Sequence, residues 1–426
     1  MKISRTFYNK PVFWIWMLIV LNCVYPALTY FLGLPSAIAY LSDIAWIILG
    51  LGLVMNRACI LPDGKNVRLL LIALFVETVI GYCVNAYNPL IYIWGFRTFF
   101  RYIIFFLACV HFLKLKDVDG ILHFLCVISF VNALFCVMEF AMGFGLDCVS
   151  GLYTFGRSVR GGAAGLNALM CIVCTWLLIE YLFKSISLYK MVVPILLCML
   201  MAALSEQKAF YIQFVLILIL CIFLTQFSMK KLMILIVGVA LLIVGYLLYS
   251  RYYSDRFNLL SLEALVKYIG LDGSTYGRHS LNRVTALPYV IANILSTPVQ
   301  RLFGLGLGYG DNVKVDMISS GFYEEHSSLG YQYFFTSLEG VNIGILGLLL
   351  FYGFLLTVFL YAWKKGRNSQ ESLKKYFILS QVMCVMTAFL TLYNQSLILD
   401  ISGFNIYFML AIPFIAEKNQ PVHGKG

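Results

Sequence analysis

Charged residues are scarce in this sequence. Only 12% of the 426 residues are Asp, Glu, Lys or Arg, whereas 61% are hydrophobic and the mean hydropathy is +0.87. A soluble globular chain has about 25% charged residues, because its surface must carry groups that water hydrates. So little charge excludes a soluble enzyme or binding domain and indicates a chain whose main solvent is the lipid bilayer.

Acidic residues and metal-binding patterns are also few. The chain has 20 Asp and Glu against 31 Lys and Arg, a net charge of +11. This excess does not indicate nucleic-acid binding, because most of the basic residues lie in short loops between apolar segments, where they set membrane orientation. The C-x-x-C pair Cys171 and Cys174 lies inside an apolar segment, and only Cys148 is clearly in a loop. We therefore expect no metal site, no cofactor and no disulfide framework.

The chain does contain long apolar segments of about 20 residues, the length with which a helix crosses a bilayer. They predict an all-α polytopic membrane bundle with spans near 12–31, 37–55, 67–86, 91–112, 121–142, 163–183, 188–204, 209–227, 231–250, 340–362, 375–394 and 397–416. Residues 1–250 thus carry nine spans, 251–338 form one large polar loop, and 339–426 carry three spans and a tail. Lys and Arg concentrate on the side of the N-terminus, which predicts cytoplasmic N- and C-termini and an outside loop.

Arginines gather on the predicted outer side. An arginine at the centre of a membrane helix costs about 2.5–3.5 kcal/mol on insertion scales, so it usually has a partner or a function. Because a guanidinium binds phosphate oxygens in a bidentate manner, a diphosphate site at the outer leaflet is one interpretation. The other is structural pairing with Glu139, Asp147 or Asp255, or contact with lipid headgroups. The arginines concerned are Arg97, Arg101, Arg157, Arg160, Arg278 and Arg283.

Two further motifs lie in the large loop. His326 follows Glu324 and Glu325 just before span ten, and an imidazole can take up a proton near neutral pH. His326 is therefore a candidate general base with Glu325 beside it, or a hydrogen-bond donor to a phosphate. The alternative is a histidine that is merely exposed to water. GLGLGYG (304–310) has the glycines of a phosphate-binding loop but lacks the GK[ST] ending, and we expect a flexible turn there.

The layout of the chain resembles the O-antigen polymerase and O-antigen ligase superfamily of bacterial envelopes. The resemblance is carried by the twelve spans, the large loop between spans nine and ten, and four short segments. These are GRSVRGGAAGLN (156–167) before span six, YGR (276–278), GLGLG (304–308), and HSSLGYQYFFTSLEGVNIGILGLLLFYG (326–353) at the end of the loop.

This resemblance implies a metal-independent, inverting glycosyltransferase of the bacterial inner membrane. Its donor would be an undecaprenyl-diphosphate-linked oligosaccharide embedded in membrane lipid, and a chain-length regulator protein would be a further partner. His326, Arg278 and Glu325 would be catalytic. Arg157, Arg160, Arg97, Arg101 and Arg283 would bind the substrate.

Three functions remain open on the sequence alone. A polymerase would join lipid-linked repeats, whereas a ligase would move finished polymer onto the lipid A–core. A transporter or flippase for a lipid-linked sugar is the third, with Glu77 and Asp43 inside spans as proton-relay candidates. We favour an enzyme because the arginines crowd one face and the largest feature is a single outside loop.

Overall fold

The computed structural model describes residues 3–56, 64–144, 148–155, 162–226, 229–253, 281–313 and 315–419. Over these residues the chain is helical and contains no β-strand. Its twelve long helices are α1 Ile3–Phe31, α2 Leu41–Met55, α3 Lys65–Asn85, α4 Pro89–Phe112, α5 Leu115–Ala141, α6 Gly162–Leu182, α7 Leu188–Leu204, α8 Lys208–Leu224, α9 Met229–Tyr253, α10 Phe335–Arg367, α11 Glu371–Tyr393 and α12 Asp400–Lys418.

A long helix occupies the position of every predicted span. Within the described ranges, nine helices (α1–α6 and α9–α11) are long and apolar enough to cross a membrane. Helices α7 and α8 are apolar but have only 17 residues each. The chain is therefore a helical membrane bundle, as the composition predicted, and the count of twelve crossings stays a prediction.

Helices α6 and α12 form the centre of the bundle. In α6, 89% of the most apolar window is buried inside the protein, and every residue from 402 to 416 of α12 is buried. A helix enclosed on all sides meets other helices rather than lipid, so it can carry polar groups that find partners inside the bundle. This explains why α12 can hold the buried Ser402 and Asn405, and it is not one of the nine helices that are long and apolar enough to cross a membrane.

Residues 281–313 and 315–334 cover one end of the bundle, which we call the loop-side end. Asn88 caps α4 there by accepting a hydrogen bond from the Leu90 amide (2.9 Å), and its own side-chain amide donates to the Met317 carbonyl (3.1 Å). The Asn85 side chain likewise donates to the Gly304 carbonyl (3.2 Å). Side chains at the loop-side ends of α3 and α4 thus hold the loop in place.

We expected a flexible turn at GLGLGYG. That prediction is wrong, because this segment is packed into the bundle. Helix α10 is broken at Gly344 (φ 63°, ψ −166°), so carbonyls one turn earlier lose their helical donors. The amides of Leu305 and Gly306 donate to two of these, the Val341 (2.6 Å) and Asn342 (3.2 Å) carbonyls. The break in α10 is therefore capped by the glycine segment.

Glycine is required where this segment meets α4. Gly308 has φ 85°, and a Cβ on Gly95 of α4 would overlap with the Gly308 backbone. Leu307, between the glycines, is 1% exposed and belongs to the main core. The glycines thus permit close backbone packing, which a sequence pattern does not distinguish from a mobile turn.

Candidate functional site

A cavity of about 210 Å³ opens at the loop-side end. Four parts of the chain meet there: the first turn of α6, the turn between α7 and α8, the loop that leads into α10, and the turn between α11 and α12. Its lining residues are Ala163, Ala164, Ser205, Glu206, Gln207, Arg283, Tyr333, Phe334, Tyr393, Asn394 and Gln395.

Buried amide side chains hold the walls of this cavity in position. Gln207, which is 5% exposed, donates from Nε2 to the Ala163 carbonyl (2.6 Å) and accepts from Nδ2 of the fully buried Asn167 (2.9 Å). Across the cavity, the Ser396 hydroxyl donates to the Ala164 carbonyl (3.1 Å). Since a buried amide must satisfy its donors and acceptors, these bonds fix the first turn of α6 relative to α8 and α12.

Among the described residues, Arg283 is the arginine that lines the cavity. Its guanidinium carbon lies 4.5 Å from the centre of the Tyr393 ring and 5.9 Å from that of Phe334. The local backbone is held by a turn in which the Arg283 amide donates to Asn282 Oδ1 (2.7 Å) and the Asn282 amide donates to Thr285 Oγ1 (3.0 Å). When a guanidinium stacks on aromatic rings, its N–H groups point outward in the plane of the guanidinium. In this plane they can donate hydrogen bonds to phosphate or carboxylate oxygens.

The N-terminus of α6 contributes a partial positive charge to this cavity, whose lining also includes Glu206, paired with Lys208 (3.1 Å). Helix α6 has 21 residues, and its backbone dipoles give a partial positive charge at Gly162. In the sequence, Arg160 comes only two residues before Gly162. Arg157, Arg160 and Arg278, which we predicted to bind the diphosphate, lie outside the described residues, so their predicted roles stay predictions.

Arg97 has a structural partner. Its Nε and Nη2 donate to Oδ1 and Oδ2 of Asp43 at 2.9 and 2.7 Å, a bidentate ion pair between α4 and α2. The indole of Trp46 also donates to Asp43 Oδ1 (3.1 Å). Arg97 does not line the cavity, and the acid that it pairs with is one that we had considered for proton relay.

Arg101 also forms an ion pair, and its side chain is more deeply buried than that of Arg97. It is 5% exposed, and its Nη2 lies 2.6 Å from Asp400 Oδ1 at the start of α12 and 2.8 Å from the Tyr102 hydroxyl. Its Nε and Nη1 have no hydrogen-bond partner among the described residues. Both α4 arginines thus make ion pairs within the bundle, with acids other than Glu139, Asp147 or Asp255. Their predicted contact with substrate stays a prediction.

Glu139, one of the acids considered as a structural partner for the arginines, accepts hydrogen bonds from backbone amides. Its Oε2 receives the amides of Ser150 (2.8 Å) and Gly151 (2.7 Å). These bonds hold residues 148–155 against the end of α5. The role of Glu139 in the described part of the chain is therefore to order this loop.

Asp311 is a partly buried acid that sequence reasoning missed. It accepts from the Thr98 hydroxyl (2.9 Å) and from Asn342 Nδ2 (3.1 Å), and so joins the glycine segment to α4 and α10. Burial raises the pKa of its carboxyl above the ordinary value, while these hydrogen bonds and the charges of Arg101 and Arg97 oppose the rise. The position of Asp311 directly after GLGLGYG was the one feature of the sequence that could have indicated its role. That position became informative only when the structure showed that the GLGLGYG segment is buried.

His326 and Glu325 lie on the short helix Phe322–His326, outside the lining of the cavity. The His326 ring stacks on Phe322 at 4.4 Å between centres, and its Nδ1 is 3.8 Å from Glu325 Oε2. His326 is 25% exposed and Glu325 75% exposed. The predicted neighbours are thus close together, but at a distance longer than a hydrogen bond.

Among the described residues, no group of three or more His, Cys, Asp or Glu side chains could hold a metal ion. Cys171 is instead within hydrogen-bond distance of Gln213 Oε1 (3.4 Å) in the core.

No protein-family model and no curated protein matches this chain.

Proposed function

We propose that the protein is a glycosyltransferase that joins lipid-linked oligosaccharide repeats, as an O-antigen polymerase of the bacterial inner membrane does. The observation that carries the proposal is the cavity in which a stacked arginine, Arg283, meets the N-terminus of α6. Arg157 and Arg160 precede this helix in the sequence. Such an arrangement suits a lipid diphosphate, because a helix N-terminus and guanidinium groups both bind the negatively charged oxygens of phosphate groups.

The size of the cavity also favours the headgroup of a lipid-linked donor. At about 210 Å³ it is smaller than typical pockets for drug-sized ligands, which begin at roughly 300 Å³. It would take a diphosphate or one sugar ring, while the rest of the oligosaccharide stays outside. Tyr333 and Tyr393 offer aromatic faces on which a sugar ring could stack.

In the proposed reaction, a hydroxyl of the acceptor sugar attacks the anomeric carbon of the donor sugar. A new C–O bond forms with inversion as the bond from that carbon to the phosphate oxygen breaks. The lipid diphosphate leaves with the electron pair, and arginines stabilise the charge that develops on it. The hydroxyl proton passes to a base, for which His326 with Glu325 beside it is the candidate.

The test is complementation of a deletion strain, read on a gel of the envelope polysaccharide. We expect Arg283→Lys, Arg278→Lys and at least one of Arg157→Lys and Arg160→Lys to shorten the polymer at unchanged protein level. Lysine keeps the charge but loses the bidentate geometry. One lost charge-assisted bond costs about 1.5–3 kcal/mol, or roughly 10- to 100-fold in rate.

Arg301→Lys is the matched control. Arg301 is an exposed arginine of the same loop that donates to the Leu295 carbonyl (3.0 Å) and does not line the cavity. It should leave the polymer unchanged. Full-length polymer from all the other lysine variants would refute the diphosphate site.

His326→Ala tests the base separately. We expect severe slowing of chain extension while the protein still reaches the membrane, because the candidate base that takes the proton of the acceptor hydroxyl would be lost. Normal polymer from a normal amount of His326→Ala protein would remove His326 from catalysis and leave Glu324 or Glu325 as candidates.

The same gel separates polymerase from ligase. Loss of a polymerase leaves a single repeat on the core, whereas loss of a ligase leaves bare core and stranded lipid-linked polymer. The second pattern would make the protein a ligase that uses the same cavity.

A transporter is the alternative from another class, and two observations favour it. Helix α10 is broken at Gly344, and the carboxyl of Glu77, which is 3% exposed, has no hydrogen-bond partner among the described residues. Against it, two carbonyls exposed by the break are capped by Leu305 and Gly306, so they are not directed at an ion. Movement of a lipid-linked sugar across liposomes that contain the pure protein, without polymer formation, would favour the transporter.

A further inference from the structure

The end of the bundle opposite the loop-side end carries a second, separate site. There the last two turns of α10 lie between two cavities of about 440 and 470 Å³. Trp363 and Arg367 line both cavities, and Lys364 lines the smaller one. The larger cavity extends to the end of α8 and the start of α11, where Phe223, Leu224 and Ile378 form an apolar wall.

One face of α10 changes from apolar to basic toward this end. Leu349, Leu356 and Leu360 are 63%, 58% and 46% exposed, and Trp363 is 47% exposed. Positions 349, 356, 360, 363 and 367 share one helix face, since they are separated by three, four or seven residues. This face ends in the exposed Lys364 and Arg367. An apolar stripe that ends in an interfacial tryptophan and cations matches the polarity of a phospholipid, from acyl chain to phosphate.

Most of the neighbouring cations are neutralised by carboxylates. Lys374 pairs with Glu371 (2.7 Å), Lys375 pairs with Glu180 (2.7 Å), and Lys365 pairs with Glu417. Lys364 and Arg367, in contrast, have no carboxylate partner in the described part of the chain. The Arg367 guanidinium lies 5.7 Å from the centre of the Trp363 ring.

We propose that these cavities bind an anionic phospholipid such as phosphatidylglycerol. Its phosphate contacts Arg367 and Lys364, and an acyl chain lies along Leu360 and Trp363 or in the groove beside Phe223. The unpaired cations select the charge of the headgroup, because each basic residue near a membrane surface adds to the attraction of anionic lipid. The exposed Phe223 (80%) and Trp363 select a lipid over a soluble anion. This site does not depend on the proposed glycosyltransferase activity.

The test is native mass spectrometry of the full-length protein in detergent, titrated with phosphatidylglycerol, phosphatidylcholine or inorganic phosphate. We expect one tightly bound phosphatidylglycerol, at most weak binding of phosphatidylcholine, and no displacement of the lipid by phosphate. Arg367→Gln or Lys364→Gln should weaken phosphatidylglycerol binding about fivefold each, and the double variant roughly thirtyfold.

Lys190→Gln is the matched control, because it removes one exposed charge from α7 at the same end without lining either cavity. It should change binding little. Arg367→Lys keeps the charge and should therefore retain most of the phosphatidylglycerol binding. That result would show that the weaker binding of Arg367→Gln is not caused by misfolding. Equal binding of the two lipids, equal effects of Arg367→Gln and Lys190→Gln, or displacement by inorganic phosphate would each overturn the proposal.

Discussion

Replacing Asp400 with Asn tests the ion pair that Asp400 makes with the buried Arg101. Arg101 is 5% exposed and Asp400 23% exposed, and their charged atoms are 2.6 Å apart. Asn has almost the same shape as Asp and can still accept a hydrogen bond, but it leaves the guanidinium without its countercharge. Breaking a buried pair costs about 3–5 kcal/mol, because the remaining charge is out of water and uncompensated. Since Asp400 keeps some contact with solvent, we expect a loss of about 3 kcal/mol in the free energy of unfolding.

The assay is reversible unfolding in mixed detergent, compared with Glu371→Gln. Glu371 is 69% exposed and pairs with Lys374 three residues along α11, so its loss should cost less than about 0.5 kcal/mol. Adding Arg101→Met to Asp400→Asn removes the unpaired charge and should recover part of the stability. If Asp400→Asn is no more destabilising than Glu371→Gln, the pair does not hold α4 against α12, and the argument is wrong.

Two further predictions concern packing and orientation. Gly95→Ala should destabilise the protein by about 1–3 kcal/mol in the same assay, because its Cβ would overlap with the Gly308 backbone. Gly50→Ala, whose Cβ would lie 3.5 Å from Ile104 Cγ2, should be neutral or slightly stabilising, and equal effects would contradict the packing of the glycine segment. A topology reporter fused after Ser320 should report the outside and one after Gly366 the cytoplasm, because basic residues concentrate on the side of the termini. Reversed signals would place the cavity of Arg283 in the cytoplasm, where the proposed reaction does not occur.

The sequence by itself determined the class of the protein and the positions of its helices. Composition alone indicated a membrane protein, and the lengths of the apolar segments located the helices, because the bilayer sets the length of a span and requires every backbone group to be bonded within it. Boundaries were less accurate: α10 begins at Phe335, five residues before the predicted span, and four residues of the predicted loop belong to it. Helix α10 consists of two helical segments joined at the break at Gly344, so its 33 residues exceed the length of an average crossing.

Only the tertiary structure decided which charges meet. Arg97 finds its partner 54 residues away, in Asp43, and Arg101 pairs with Asp400, which belongs to the last helix. Such pairs depend on which helices pack side by side, and hydrophobic periodicity does not specify this, because every span is apolar. The burial of GLGLGYG and the cavity that Arg283 and the first turn of α6 both line likewise depend on packing between distant parts of the chain.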